Sequence, residues 1–152
     1  MEGSMPVSLA RPLAATQPSR GNRPTDWRPG ALVAENDPDL LRLIVEALTR
    51  DGFIVSEARN AEELIEIACC TRREDKVPPD LVVSDVHLPG RDGFSALDEL
   101  QQTLAGAVIL VISAYPDDAV MAEAARVGAA GVLSKPFELD DLCRAAHDLV
   151  HR

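Results

Sequence analysis

Basic residues are scarce in this chain. Its 152 residues carry 15 Lys and Arg against 25 Asp and Glu, a formal net charge of −10. That balance argues against DNA or RNA as a partner, because nucleic-acid binding needs a basic footprint on the phosphate backbone. Residues 1–30 hold Arg11, Arg20, Arg23 and Arg28 against Glu2 and Asp26, so that segment is mildly basic and the remainder carries −12. Cysteine is also scarce. Cys69, Cys70 and Cys143 make an odd number, and the adjacent pair lacks both metal-ligand spacing and a Cys-x-x-Cys arrangement. Reduced, structural thiols are expected. No apolar run approaches the roughly 18 residues needed to cross a bilayer, and no signal-peptide pattern opens the chain, so a cytoplasmic protein with no membrane partner is expected.

What is present is enough apolar content, 46%, for one domain with a real core. Residues 1 to about 30 contain Pro6, Pro12, Pro18, Pro24 and Pro29 and no sustained period, which predicts a disordered tail. Trp27 stands just before the first strand and is expected to pack on the domain's edge. From Ala31 onward, short apolar runs alternate with amphipathic segments. Strands are expected at Ala31–Ala34, Phe53–Ser56, Leu81–Asp85, Val108–Ile112 and Gly131–Ser134. Asp37-Pro38, Asn60, Asp92-Gly93, Asp117-Asp118 and Glu138 open the intervening helices. This order is that of an α/β fold: a doubly wound, five-stranded parallel sheet with five helices on its two faces. The domain spans 31–152.

Polar residues fall just past the apolar strands. Glu35 and Asn36 follow the first, Asp85 ends the third, Ser113 follows the fourth, and Lys135 with Pro136 follows the fifth. Open α/β sheets bind ligands outside the carboxyl ends of their strands. Two acids, an amide, a hydroxyl and an ammonium group are therefore expected to share one pocket. Clustered carboxylates repel, and hard oxygen ligands with waters suit Mg²⁺. A carboxylate beside such an ion can attack a phosphoryl group, with Lys135 and Ser113 holding the phosphoryl oxygens. The chemistry suggested is an aspartyl phosphate at Asp85. Leu88-Pro89-Gly90 and Asp92-Gly93 turn the chain sharply after it.

These motifs, in order and each at a strand end, resemble the receiver domain of two-component response regulators, in particular the single-domain, chemotaxis-regulator-like kind. The resemblance covers about residues 31 to 151 and implies the flavodoxin-like strand order 2-1-3-4-5. Carried over residue by residue, it makes Asp85 the phosphoacceptor and gives Mg²⁺ to Glu35, Asn36, Asp85 and the backbone carbonyl of His87, with Glu35 acting through a water. Ser113 with Ala114 and Lys135 become the phosphate-binding and switch residues. The implied donor is a phosphohistidine on a sensor histidine kinase or phosphotransfer protein. The implied output is a changed protein-binding face, in a monomer or a phosphorylation-dependent dimer. No effector segment follows Arg152, so output is expected through a separate downstream protein. The chain is expected to be a signalling phosphoprotein and not an enzyme.

Two positions depart from the family pattern. Asn36 stands where an Asp usually ligates Mg²⁺, which removes a unit charge worth up to about 4 kcal/mol at an effective dielectric of about 20. The alternative reading follows: a phosphorylation-independent pseudo-receiver that acts as a protein-interaction module. Val132 stands where many receivers carry a switch aromatic. Tyr115 is a candidate substitute, and with His87 it is expected to flank the path of a hydrolytic water. An FMN or dinucleotide site is disfavoured because Glu35 and Asp37 line the first turn and repel an anion.

Overall fold

The structure is a computed structural model that describes residues 8–9, 27–73 and 79–151. Five parallel strands form its sheet: β1 (Gly30–Ala34), β2 (Ile54–Ala58), β3 (Leu81–Asp85), β4 (Val108–Ser113) and β5 (Gly131–Ser134). Five helices connect or follow them: α1 (Pro38–Arg50), α2 (Ala61–Arg73), α3 (Gly93–Glu99), α4 (Asp118–Arg126) and α5 (Leu139–Val150). The parallel strands lie in the order β2-β1-β3-β4-β5.

The apolar runs are explained by burial on both faces, as parallel sheets require. Every residue of β3 and β4 is buried. Successive side chains alternate between two cores. Leu32, Val82, Val111 and Val132 meet Leu64, Leu97 and Ala124 from α2, α3 and α4. Val33, Val83, Leu110 and Leu133 meet Ile44, Leu48 and Leu142 from α1 and α5. Asp37 caps α1 as its sequence suggests, its carboxylate accepting from the Asp39 and Leu40 N–H groups at 3.0 and 3.4 Å. Asn60 does the same for α2, accepting from the Glu63 N–H at 2.8 Å.

Three expectations shift in detail. The second strand begins at Ile54 instead of Phe53, because Phe53 is buried and its N–H closes α1 by donating to the Leu48 carbonyl at 3.0 Å. Phe94, Leu97, Leu100 and Leu104 recur at helical spacing and predict one longer helix, but α3 ends at Glu99, and Leu100 and Leu104 are buried in the turns that follow. The tail reading for residues 1–30 lies largely outside the described residues. Within it, Ser8 and Leu9 pair antiparallel with Val132 and Gly131, adding a two-residue strand along the outer edge of β5. So short a segment carries no periodicity, but the backbone groups of an edge strand offer it hydrogen bonds. Trp27 packs at the margin of the α1/α5 core. Among the described residues no helix is long and apolar enough to cross a membrane.

Candidate functional site

Strand register brings the candidate residues to one edge. Ala34 pairs with Ser84, Asp85 with Ile112, and Ser113 with Ser134. Glu35, Asp85, Ser113 and Lys135 therefore stand together at the carboxyl ends of β1, β3, β4 and β5. Glu35, Asp85 and Ser113 are buried, which carboxylates tolerate only with partners. Lys135 Nζ donates to Asp85 Oδ2 at 2.6 Å and lies 3.1 Å from Glu35 Oε1. The other oxygens are held by the backbone: Asp85 Oδ1 accepts from the His87 N–H at 2.9 Å, and Glu35 Oε2 accepts from the Asp37 N–H at 3.0 Å. Asp37 thus has two tasks, capping α1 with its side chain and fixing Glu35 with its amide.

One ammonium group faces two buried carboxylates, and the balance of charge is incomplete. Glu35 Oε1 is buried without a hydrogen-bond partner, since Lys135 sits at ion-pair distance from it but outside hydrogen-bond geometry. Burial, followed by its contact with the Asp85 carboxyl, pushes the Glu35 pKa above the ordinary carboxylate value; the Asp37 N–H and Lys135 pull against this without prevailing. Desolvation pulls Lys135 down, but its hydrogen bond to Asp85 and the charge attraction of Asp85 and Glu35 together hold it above the ordinary lysine value.

A hard divalent cation suits this deficit. Mg²⁺ takes oxygen ligands and retains waters, and the unpartnered Glu35 oxygen beside Asp85 provides the donor set it favours. Asn36 is exposed at the same turn and offers an amide oxygen without charge. Among the described residues, no three His, Cys, Asp or Glu side chains gather as a metal cage. Asn36 itself adds no carboxylate to the turn.

The remaining candidates divide into rim and core. Ser113 Oγ accepts a hydrogen bond from the Tyr115 N–H at 3.1 Å, so its hydroxyl is engaged by the loop it begins. Ala114 and His87 are exposed, and Tyr115 is 78% exposed. Val132 is buried in the core against the α3/α4 side and does not join the pocket.

Two supporting residues were not legible as such in the sequence. A Cβ on Gly93 would lie 2.2 Å from the Asp85 carbonyl oxygen, so only glycine lets α3 begin against that backbone. Ser84 is buried, and its hydroxyl donates to the same carbonyl at 3.1 Å. Together with the Gly93 N–H donated to Val86 at 2.8 Å, these contacts fix the end of β3. The available signal was a glycine at the first position of a helix, where a better helix former would otherwise serve.

Comparison with known proteins agrees with this geometry. The family model for the response regulator receiver domain matches residues 31–147. The chain is 30% identical over 115 residues to the chemotaxis protein CheY of Bacillus subtilis, covering 75% of this chain and 91% of that protein. It is 32% identical over 126 residues to the nitrate/nitrite response regulator NarL of Escherichia coli K12, covering 81% of this chain but only 56% of that regulator's length. Among solved structures, a CheY-like receiver domain from Methanospirillum hungatei superposes with a TM-score of 0.73 at 19% identity, over 82% of this chain and 95% of the other. A Francisella receiver domain does so with a TM-score of 0.70 at 24% identity, over 82% and 98%. At those identities the structures speak to fold alone. With the sheet order, the carboxyl-edge cluster and a family match over most of the chain in agreement, the protein belongs to the response regulator receiver domain family of two-component signalling.

Proposed function

We propose that Asp85 accepts a phosphoryl group from a phosphohistidine on a sensor histidine kinase or phosphotransfer protein. The observation that carries this reading is the Lys135 ammonium bridging Asp85 Oδ2 and Glu35 Oε1 over a buried, charge-deficient pair. A carboxylate oxygen of Asp85 bonds to phosphorus as the donor's P–N bond breaks. Lys135 then shifts from the carboxylate to a phosphoryl oxygen, where an ammonium acts as a point charge. Asp85, Asn36, the His87 backbone carbonyl and, through a water, Glu35 would hold Mg²⁺, which would offset charge on the transferring group. Ser113 exchanges its bond from the Tyr115 N–H for the phosphoryl group, and added negative charge of this kind reorders nearby loops. The exposed rings of Tyr115 and His87 shield the acyl phosphate from water. The output is a changed binding face formed by α4, β5 and α5.

The test is incubation with acetyl phosphate and Mg²⁺ followed by intact-mass measurement. Gain of one phosphoryl group by the wild type and none by Asp85→Asn supports the reading. No adduct, or one retained by Asp85→Asn, overturns it. Tyr115→Ala and His87→Ala are expected to shorten the phosphorylated half-life.

The second reading, a pseudo-receiver that binds its partner unphosphorylated, is favoured by one observation: Asn36 in place of an acid. It requires that Asn36→Asp create Mg²⁺ binding that the wild type lacks at millimolar concentration. Mg²⁺ binding by the wild type in that range removes its basis.

A further inference from the structure

The two edges of the parallel sheet are protected in different ways. β2 lies at one edge with Ile54, Ser56 and Glu57 exposed, and a charge such as that of Glu57 discourages pairing with a strand of another chain. β5, Gly-Val-Leu-Ser, has no charged residue. An edge of that composition is a template for a further strand, and one is seated on it. Ser8 pairs with Val132 and Leu9 with Gly131, antiparallel, along its outer edge. Gly131 and Val132 are buried, and the Val132 side chain belongs to the α3/α4 core, so this edge offers a neighbour its backbone. Just before β5 the Ala130 N–H donates to the Ile109 carbonyl at 2.7 Å, on the β4 side. By alternation, the Gly131 N–H faces outward.

The direction of pairing puts the contact within reach of the same chain. Antiparallel register sets Leu9 beside Gly131, at the end of the sheet where Gly30 begins β1. Four strand spacings, roughly 19 Å at about 4.8 Å each, separate those positions. Residues 10–29 can extend to about 65 Å, several times that distance. Tethering makes the pairing intramolecular and raises its effective concentration. The strand itself is only two residues long, and pairings that short are marginal on their own. A contact that depends on tethering is one that a longer strand displaces.

We propose that the outer edge of β5 is a strand-accepting site, and that Ser8–Leu9 is a displaceable cover that competes there with an extended segment of a partner protein. Such a segment adds antiparallel to β5, and main-chain hydrogen bonds supply its affinity. The edge belongs to the face formed by α4, β5 and α5, so the role in signalling rests on the reading of that face as the output surface. The cover sets a threshold, because a partner gains the edge only in the fraction of molecules whose own segment is released.

The test compares the full wild-type chain with the full chain carrying Ser8→Pro and Leu9→Pro together, which removes both N–H groups of the cover. Amide hydrogen exchange followed by NMR reads the edge directly. The variant should exchange about tenfold faster or more at Gly131, while β1, β3 and β4 keep their protection. The probe for the site is a synthetic peptide of residues 5–12 of this chain. It should shift β5 resonances saturably in the variant and bind the wild type about tenfold more weakly, as a cover docked about nine-tenths of the time requires. Unchanged exchange at Gly131 overturns the proposal. So does a peptide that binds both chains equally, or neither. Both measurements are made without a phosphoryl donor, so a failure of phosphorylation at Asp85 leaves them standing and is read separately by intact mass.

Discussion

The two ends of the sheet solve the placement of polar groups in opposite ways. At the carboxyl end, Glu35 and Asp85 are buried, and each is fixed by a backbone N–H and by the single Lys135 ammonium. At the other end, His147, Asp148 and His151 are exposed and meet one another at the surface of a helix terminus. Buried charge without full compensation is costly, whereas exposed polar groups are satisfied by water. The carboxyl end therefore stores electrostatic tension that a cation would relieve. The opposite end stores almost none.

Substitutions should show this asymmetry. Lys135→Met leaves Glu35 and Asp85 facing each other without a counter-charge, and should destabilise the fold by about 3–5 kcal/mol in urea unfolding. Adding Asp85→Asn to that variant should restore much of the loss. Gly93→Ala forces a methyl group against the Asp85 carbonyl and should cost about 1–3 kcal/mol or more, with slower phosphorylation because the acceptor carboxylate moves. His147→Ala, at the other end, should change stability by no more than about 0.5 kcal/mol. A cost at His147 equal to that at Lys135 would erase the distinction.

The pH dependence sharpens it further. The folded pKa of Glu35 is raised, so the folded protein keeps a proton that the unfolded chain loses near the ordinary value of 4.5. More protons bound in the folded state means that stability falls as pH rises from about there through the raised value. This is opposite to a salt-bridged carboxylate with a depressed pKa. Glu35→Gln should flatten that slope, and Mg²⁺, which competes with the proton, should bind more tightly as pH rises. Lys135 acts in the alkaline range: its raised pKa gives stability that is fully present below 10.5 and is lost as pH passes its folded value.

The fold was legible from Ala31 onward because both signals it depends on are local. Apolar runs mark the parallel strands, and Asp37-Pro38 and Asn60 mark helix starts that the coordinates reproduce. Strand ends also fixed where the site would be, since residues just past a parallel strand share an edge whatever their distance in sequence. The rest depended on three-dimensional approach. Asp92-Gly93 reads as a turn, and nothing in its neighbours says that a carbonyl lies where a Cβ would be. Ser84 reads as one more strand residue, although its hydroxyl ties the end of β3. The ring contact between His147 and His151 becomes visible only with side-chain conformation and with Trp27 alongside.

The most direct test of the central claim is to locate the phosphoryl group itself. After reaction with acetyl phosphate and Mg²⁺, borohydride reduction converts an aspartyl phosphate into an alcohol that peptide sequencing identifies by mass. The account predicts conversion at Asp85 and its loss when Mg²⁺ is chelated. Conversion at another carboxylate, or at none, would contradict it.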